Sequence, residues 1–354
     1  MTLIHLAQRR RLGFYLVLWV LMLGGPAACG GNQPAPGGST LEPDEAGILT
    51  LPDMTARVQE GEQLQVLATT SIIGDVVGQV GGEAIDLTVL MGPGQDPHSY
   101  QPGAADLAAA ADADVIFVNG WNLEEALVAD LATIGRDAVI VPISAGIEPR
   151  VLTAGAHEED EEAHDKAEED AHAHGPFDPH VWQDAGNVMV WVDNARQVLS
   201  AADPANAATY AANAQRYRAE LDQLNNDLHT LFAAIPPERR VLITNHESLG
   251  YLADDYGFKV AGTLIPSVST LAEPTAAALA GLVNTMKAEG ICTIFLETTA
   301  SDQLARTLEK ELTSCEAVKL IPLYTGSLGP AGSGTDTYLG MMRANADALL
   351  EGLQ

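Results

Sequence analysis

Three histidines stand where a strand or loop gives way to a polar turn, and this setting is suited to metal chemistry. His98 and His180 each follow an Asp-Pro pair, and His246 comes directly after the strand-like run 241–245. Functional side chains in open α/β sheets collect at the carboxyl ends of the strands. Three imidazoles held by rigid turns are ligands that zinc favours. The pattern indicates a candidate zinc site, although a lone histidine is more often structural.

A second group of histidines lies in an acidic stretch. Residues 157–174 contain four histidines, nine Asp or Glu and a single lysine. Because such a segment cannot build a core, we expect residues 157–175 to be disordered. Two interpretations are open: weak, multivalent capture of Zn²⁺, or a charged loop that only improves solubility. The histidines of this accessory metal loop are His157, His164, His172 and His174.

The N-terminal sequence predicts export. A basic run is followed by the apolar residues 14–23, which are too few for a membrane helix. Small residues before Cys29 resemble a bacterial lipoprotein cleavage site, although Pro26 stands where that motif has an aliphatic residue. We therefore expect residues 1–29 to be a signal peptide and Cys29 to carry lipid. Ordinary secretion with cleavage nearby is the alternative.

The other two cysteines, Cys292 and Cys315, form an even pair in a chain expected to reach an oxidising compartment. A disulfide between them is an open possibility, since spacing alone does not fix the geometry that a disulfide needs.

Composition limits the classes of function. The chain has 354 residues, of which 47% are apolar, and a formal net charge of −30. A chain this acidic repels nucleic acid and attracts cations. It also lacks the Gly-x-x-x-x-Gly-Lys-Ser/Thr loop of an ATPase.

Strand-like and helix-like segments alternate along the chain, which predicts an α/β fold with two lobes, each a mainly parallel sheet flanked by helices. Between the lobes, an apolar stripe predicts one long rigid helix over 204–234. The predicted organisation is a flexible tether (30–60), an N-terminal lobe (61–186), a connecting helical segment (187–235) and a C-terminal lobe (238–354). The predicted strands are 64–68, 84–91, 115–118, 139–142, 240–244, 259–263, 293–296 and 317–323.

Three segments and the last helix resemble a known family. The segments 91–102 (MGPGQDPHSYQP), 178–182 (DPHVW) and 244–251 (TNHESLGY) are similar, in order and spacing, to signatures of the zinc/manganese substrate-binding proteins of bacterial ABC importers. The resemblance extends over about residues 62–353.

The resemblance implies a buried metal between the lobes, with His98 and His180 from the N-terminal lobe and His246 from the C-terminal lobe. It implies Zn²⁺ as the transported ligand, with Mn²⁺ less favoured because manganese-type members tend to have a carboxylate where His246 stands. The partners would be a membrane permease and a separate ATPase. The protein would be a monomer without enzymatic activity, held on the outer face of the cytoplasmic membrane by lipid or free in the periplasm.

The sequence departs from the family at one expected ligand. Many members supply an aspartate from a loop before the last helix, where this chain has Gly326. A water or Glu297 could fill the fourth metal position, or Glu297 could instead orient a histidine.

Two other classes of function remain as alternatives. The sequence His246-Glu247-Ser-Leu-Gly250 superficially resembles the zinc-protease motif, but Gly250 occupies the place of the second histidine. The protein could thus be an exported zinc-dependent hydrolase. A surface adhesin is the second alternative, and no repeat in the sequence favours it.

Overall fold

The computed structural model describes residues 41–135, 137–152 and 175–354. Each of the eight predicted strands is present, with ends within two residues of the prediction. The strands are β1 (Leu64–Ala68), β2 (Ile85–Val89), β3 (Val115–Val118), β4 (Val139–Pro142), β5 (Val241–Thr244), β6 (Lys259–Thr263), β7 (Thr293–Glu297) and β8 (Lys319–Leu323).

Helices follow most of these strands. The α-helices of the described chain are α1 (Ser71–Gly81), α2 (Ala104–Asp112), α3 (Glu125–Ile134), α4 (Ala185–Ala202), α5 (Ala207–Ala233), α6 (Gly250–Tyr256), α7 (Ala276–Glu289), α8 (Gln303–Glu311) and α9 (Tyr338–Leu353). Among them, no helix is both long enough and apolar enough to cross a bilayer.

The N-terminal lobe contains a four-stranded parallel sheet in the order β2-β1-β3-β4. Strand β3 is buried along its whole length, and its alternate residues face two different cores. Val115 and Phe117 pack with residues of α1, whereas Ile116 and Val118 pack with residues of α2 and α3. A strand covered on both faces has a continuous apolar sequence, which explains the run Val-Ile-Phe-Val.

The C-terminal lobe contains two parallel strand pairs, β5–β6 and β7–β8, and β5 lies next to β7. Neighbouring residues of these strands again face opposite sides. Ile243 and Ile294 contribute to the core with α7 and α8, while Leu242 and Phe295 belong to the core that α5 and α9 complete. The α/β fold with parallel sheets flanked by helices is therefore confirmed, and the exact lobe boundaries stay predictions.

The long helix between the lobes is confirmed as α5, which spans 27 residues. The prediction began at residue 204, but Pro204–Asn206 form a 3-10 turn and the α-helix starts after it. Helix α5 contacts both lobes, since Asn213 donates to the carbonyl of Val80 and Phe232 packs against Phe258. The apolar stripe has seven residues, of which Leu231 is half-buried and the other six are buried: Tyr210, Ala214, Tyr217, Leu221, Leu224 and Leu228.

The prediction of a flexible tether over 30–60 is wrong for residues 41–60. Leu49 is fully buried, and its carbonyl accepts a hydrogen bond from Gly146. Trp121 donates to the carbonyl of Gly47, and Arg57 donates its backbone N–H to Ala202. An extended segment can insert apolar side chains into a core without any periodic pattern, so this packing is not predictable from periodicity.

Residues 1–40 and 153–174 lie outside the described residues. The predicted signal peptide, the lipid-bearing Cys29, and the accessory histidines His157, His164, His172 and His174 all fall there.

Candidate metal site

The three predicted histidines lie together between the lobes, and turns of the backbone hold each of them. His98 and His180 are each preceded by an Asp-Pro pair whose aspartate, Asp96 or Asp178, accepts the backbone N–H of the histidine. Aspartate commonly bonds to the backbone two residues on in this way. His246 follows β5, and its carbonyl accepts a hydrogen bond from the hydroxyl of Thr244.

The histidine rings meet through their Nε2 atoms. The Nε2 atom of His180 lies 3.2 Å from that of His98 and 3.1 Å from that of His246. All three residues are buried, and one nitrogen from each lies within 4.8 Å of the others. Tetrahedral zinc with Zn–N bonds of about 2.0–2.1 Å separates its ligand atoms by about 3.3 Å. The spacing between these nitrogens therefore suits a single tetrahedral ion.

A carboxylate lies behind two of the three rings. Asp178 Oδ1 is 2.9 Å from Nδ1 of His180, and Glu297 Oε1 contacts Nδ1 of His246. A carboxylate at Nδ1 requires the proton on that nitrogen and leaves the Nε2 lone pair for a metal. Glu297, offered by the sequence as fourth ligand or orienting partner, thus lies at the far nitrogen of His246.

Burial and charge shift the pKa values of these groups in opposite directions. Loss of solvation lowers the pKa of His180, and the neighbouring His246 and His98 lower it further. Loss of solvation also lowers the pKa of His246, but the charge and hydrogen bond of Glu297 outweigh it and raise the pKa. Desolvation likewise raises the pKa of Glu297, and His246 outweighs it, so that this pKa is lowered.

At Asp178, the effect of burial on the pKa outweighs the effect of the neighbouring charges and hydrogen bond. Burial raises the pKa of this carboxyl to about 6, against the backbone hydrogen bond of His180 and the charge of Arg150. A metal that binds at Nε2 of His246 therefore has to displace a proton whose binding the raised pKa favours.

Gly326 lies in the loop after β8, beside the turn that carries His98. A Cβ atom placed on Gly326 would be 3.3 Å from Cδ of Pro97 and 3.6 Å from Oγ1 of Thr299. The carbonyl of Thr325 accepts hydrogen bonds from the side chains of Trp182 and Gln183. The loop thus reaches the site but brings only backbone there at position 326. Among the described residues, the metal-competent group consists of the three histidines alone.

Two further hydrogen bonds join the lobes next to the site. Thr270 Oγ1 donates to Asp96 Oδ2 at 2.5 Å, and the backbone N–H of Gly94 donates to Ser327 Oγ at 2.8 Å. The turn that carries His98 is therefore held by two separate loops of the C-terminal lobe.

Sequence reasoning missed the roles of Asp96, Asp178 and Arg150. The two aspartates had a signal, since the Asp-Pro-His tripeptide occurs twice and each histidine was already a candidate. Arg150 had none, because it lies 28 positions before Asp178 and meets it only through folding. The predicted pair Cys292 and Cys315 forms a disulfide in the C-terminal lobe.

Two α/β lobes packed on a long helix, with buried histidines between them, define a class of metal-binding transport proteins. The family described as "Zinc-uptake complex component A periplasmic" (ZnuA) matches residues 66–352. The chain belongs to this family. It is therefore an extracytoplasmic substrate-binding component of an ABC importer that binds a divalent metal, and not an enzyme. Such components work with a membrane permease and an ATPase.

Individual relatives carry names with three different metals. The chain is 31% identical over 300 residues to the manganese-binding lipoprotein MntA of Halalkalibacterium halodurans, covering 84% of this chain and 91% of that one. It is 29% identical over 307 residues to the iron ABC transporter substrate-binding lipoprotein MtsA of Streptococcus pyogenes, covering 84% and 91%. The solved periplasmic zinc binding protein TroA of Treponema pallidum superposes with a TM-score of 0.70 at 28% identity, covering 82% and 99%.

These findings agree with the family expected from the sequence and with export. They give no support to the hydrolase or adhesin alternatives. The choice among zinc, manganese and iron has to come from the residues of this chain.

Proposed function

We propose that this protein captures Zn²⁺ through His98, His180 and His246 and delivers it to its membrane permease. The observation that carries the proposal is the convergence of three buried Nε2 atoms at separations of 3.1 and 3.2 Å. Nitrogen ligands suit zinc, whereas manganese favours carboxylate, carbonyl and water oxygens. A site with three imidazoles is therefore better matched to zinc than to manganese.

Glu297 acts in this proposal as an orienting group and not as a ligand. Its carboxylate faces Nδ1 of His246, on the opposite side of the ring from the nitrogen that meets His180. Because Gly326 offers no side chain, a water completes the tetrahedral shell. Manganese is the second candidate, because the manganese-binding lipoprotein MntA is among the relatives.

The accessory loop histidines, His157, His164, His172 and His174, supply a second, weaker binding region in this proposal. Its support is the position of the two chain ends that flank it. Val151 pairs with Phe177 in an antiparallel bridge, and the backbone N–H of Leu152 donates to Pro176. Phe177 is three residues before His180. Imidazoles and carboxylates in this segment would raise the local concentration of zinc near the site.

We further propose that Cys29 carries the lipid that holds the protein, as a monomer, on the outer face of the cytoplasmic membrane. Incorporation of labelled fatty acid into the wild-type protein and its loss in Cys29→Ala would support this anchor. Equal labelling of the two would contradict it.

X-ray absorption at the zinc edge tests the ligand set. The zinc-loaded chain at one equivalent should show three imidazole nitrogens and one oxygen at about 2.0–2.1 Å. The same spectrum should persist when residues 157–174 are deleted. A shell rich in carboxylate oxygen, or one that disappears with the deletion, would count against the proposed site.

A further inference from the structure

An ion pair between the buried Asp178 and the partly exposed Arg150 lies behind His180. Asp178 uses Oδ1 twice, for the backbone N–H of His180 and for its ring Nδ1, at 3.0 and 2.9 Å. Within the described residues, Asp178 Oδ2 accepts no hydrogen bond. It lies 3.7 Å from Nη1 of Arg150, and the Asp178 side chain is only 1% exposed. The charge of Arg150 therefore faces the carboxylate oxygen that the histidine leaves free.

Arg150 also binds the C-terminal lobe. Its Nε donates to Asp254 Oδ2 at 3.0 Å, and its backbone N–H donates to the hydroxyl of Tyr251 at 2.8 Å. The hydroxyl of Tyr251 in turn donates to the carbonyl of Asp178 at 2.9 Å. Tyr251 and Asp254 both belong to helix α6, which begins four residues after His246. Arg150 thus connects Asp178, the hydrogen-bond partner of His180, with helix α6, which follows His246.

Helix α6 begins with Gly250, which has no side chain to obstruct the contact between Asp178 and Arg150. A Cβ atom on Gly250 would lie 2.6 Å from Asp178 Oδ2 and 2.7 Å from Nη1 of Arg150. Any side chain at position 250 would therefore displace the ion pair. Gly250, which stands where the zinc-protease motif has its second histidine, thus allows helix α6 to approach Asp178 and Arg150 closely.

We infer that Arg150 is a positioning residue for the metal site, which fixes the Asp178 carboxylate so that His180 presents Nε2 to the ion. This inference rests on the proposed function, because it concerns the same three-histidine site. Arginine suits the task because its planar guanidinium can face two carboxylates at once, Asp178 inside and Asp254 at the surface. Without Arg150, Asp178 Oδ2 would be a buried charge without a counterion, and the carboxylate would turn away from His180 to find a partner.

The test compares zinc affinity in the full chain, measured by competition with a chromophoric chelator. Residues that orient metal ligands typically change metal affinity by 10–100-fold, and we expect a loss of about tenfold in Arg150→Gln. Arg150→Lys keeps the charge and should recover most of the affinity. Asp254→Asn, which alters only an exposed end of the network, should change the affinity less than twofold, as expected for surface ion pairs.

Ring-nitrogen NMR of the zinc-free chain supplies a measurement that general destabilisation would not move. His180 should be the Nδ1–H tautomer in the wild type and a mixture of tautomers in Arg150→Gln, with the signal assigned from its loss in His180→Ala. Arg306→Gln is the matched control, because Arg306 forms an exposed ion pair with Asp302 within a single helical turn. It should leave both the affinity and the His180 tautomer unchanged.

The inference would be overturned if Arg150→Gln kept the wild-type zinc affinity or the wild-type His180 tautomer, provided that His246→Ala still lost zinc binding. Equal zinc binding by wild type and His246→Ala would instead show that the proposed site itself is wrong.

Discussion

At the scale of single residues, we expect the carboxylates behind His180 and His246 to influence how strongly these two histidines bind zinc. Glu297 contacts Nδ1 of His246, and both side chains are buried. Glu297→Gln keeps the size of the side chain and removes its charge, so we expect zinc affinity to fall about 10–100-fold. Chelator competition measures the change. Glu289→Gln, which removes an exposed partner of Lys259, is the control and should have no effect.

We expect Glu297 also to influence how zinc binding depends on pH. Glu297 raises the pKa of His246 above its usual value of 6.5. Protons therefore compete with zinc at Nε2 of His246 at a higher pH than they would for an isolated imidazole, and affinity falls as the pH drops through that range. In Glu297→Gln the raising charge is gone, so the fall should move to lower pH. Zinc titrations across a pH series would show this shift, and a midpoint unchanged by the substitution would contradict the account.

Position 326 should control which metal the site prefers. A Cβ there meets Pro97 at 3.3 Å, a close contact that requires only a small displacement of the ring. Gly326→Asp adds a carboxylate beside the histidines, and oxygen ligands favour manganese. We expect the ratio of manganese to zinc affinity to rise at least about tenfold, as measured by titration with each metal. Gly281→Asp, in open space on helix α7, is the control for the added charge.

At the scale of elements, helix α5 stabilises the fold mainly through the buried residues of its apolar stripe. Leu224 is fully buried at the middle of the helix. Leu224→Ala should lower the free energy of unfolding by about 3 kcal/mol, because it removes buried methyl groups and leaves a cavity. Denaturant unfolding of the zinc-free chain measures this. Gln223→Ala, on the exposed side of the same helix, should cost less than about 0.5 kcal/mol.

The elements were predictable from sequence wherever burial is periodic or continuous. Strand β3 reads as four apolar residues because both of its faces are covered, and α5 reads as a stripe because one face is covered. The packing of residues 41–60 was not predictable, since Leu49 enters the core from a segment without regular structure. The start of α5 was misplaced because Pro204 opens a 3-10 turn before the α-helix begins.

In the proposed site, the three histidines were candidates from the sequence, whereas the residues that support them were only partly so. His98, His180 and His246 stand in recognisable motifs at the ends of strands and loops. Glu297 was already a candidate from the sequence, because it stands at the end of a predicted strand. Arg150 contacts Asp178 from a distant part of the chain, and nothing local distinguishes it from other charged residues. The geometry that gives Glu297 its place at Nδ1 of His246 arises only when β5 and β7 lie side by side.

At the scale of the whole molecule, both lobes contribute histidines to the proposed metal site. His98 and His180 come from one lobe and His246 from the other, and the pairs Thr270–Asp96 and Ser327–Gly94 join the lobes beside them. Helix α5 contacts both lobes, and a helix packed in this way should resist their relative movement. We therefore expect zinc to bind without a large rearrangement of the lobes, and the affinity to depend on ligands from both.

Titration calorimetry with zinc can test whether the three histidines form the transport site. It compares the wild-type chain, a chain lacking residues 157–174, and His246→Ala. We expect one tight site that survives the deletion and weakens more than about a hundredfold in His246→Ala, since a ligand contributes more than its orienting partner. Weaker additional binding should disappear with the deletion. Tight binding that is lost with residues 157–174 and unaffected by His246→Ala would contradict the claim that the three histidines form the transport site.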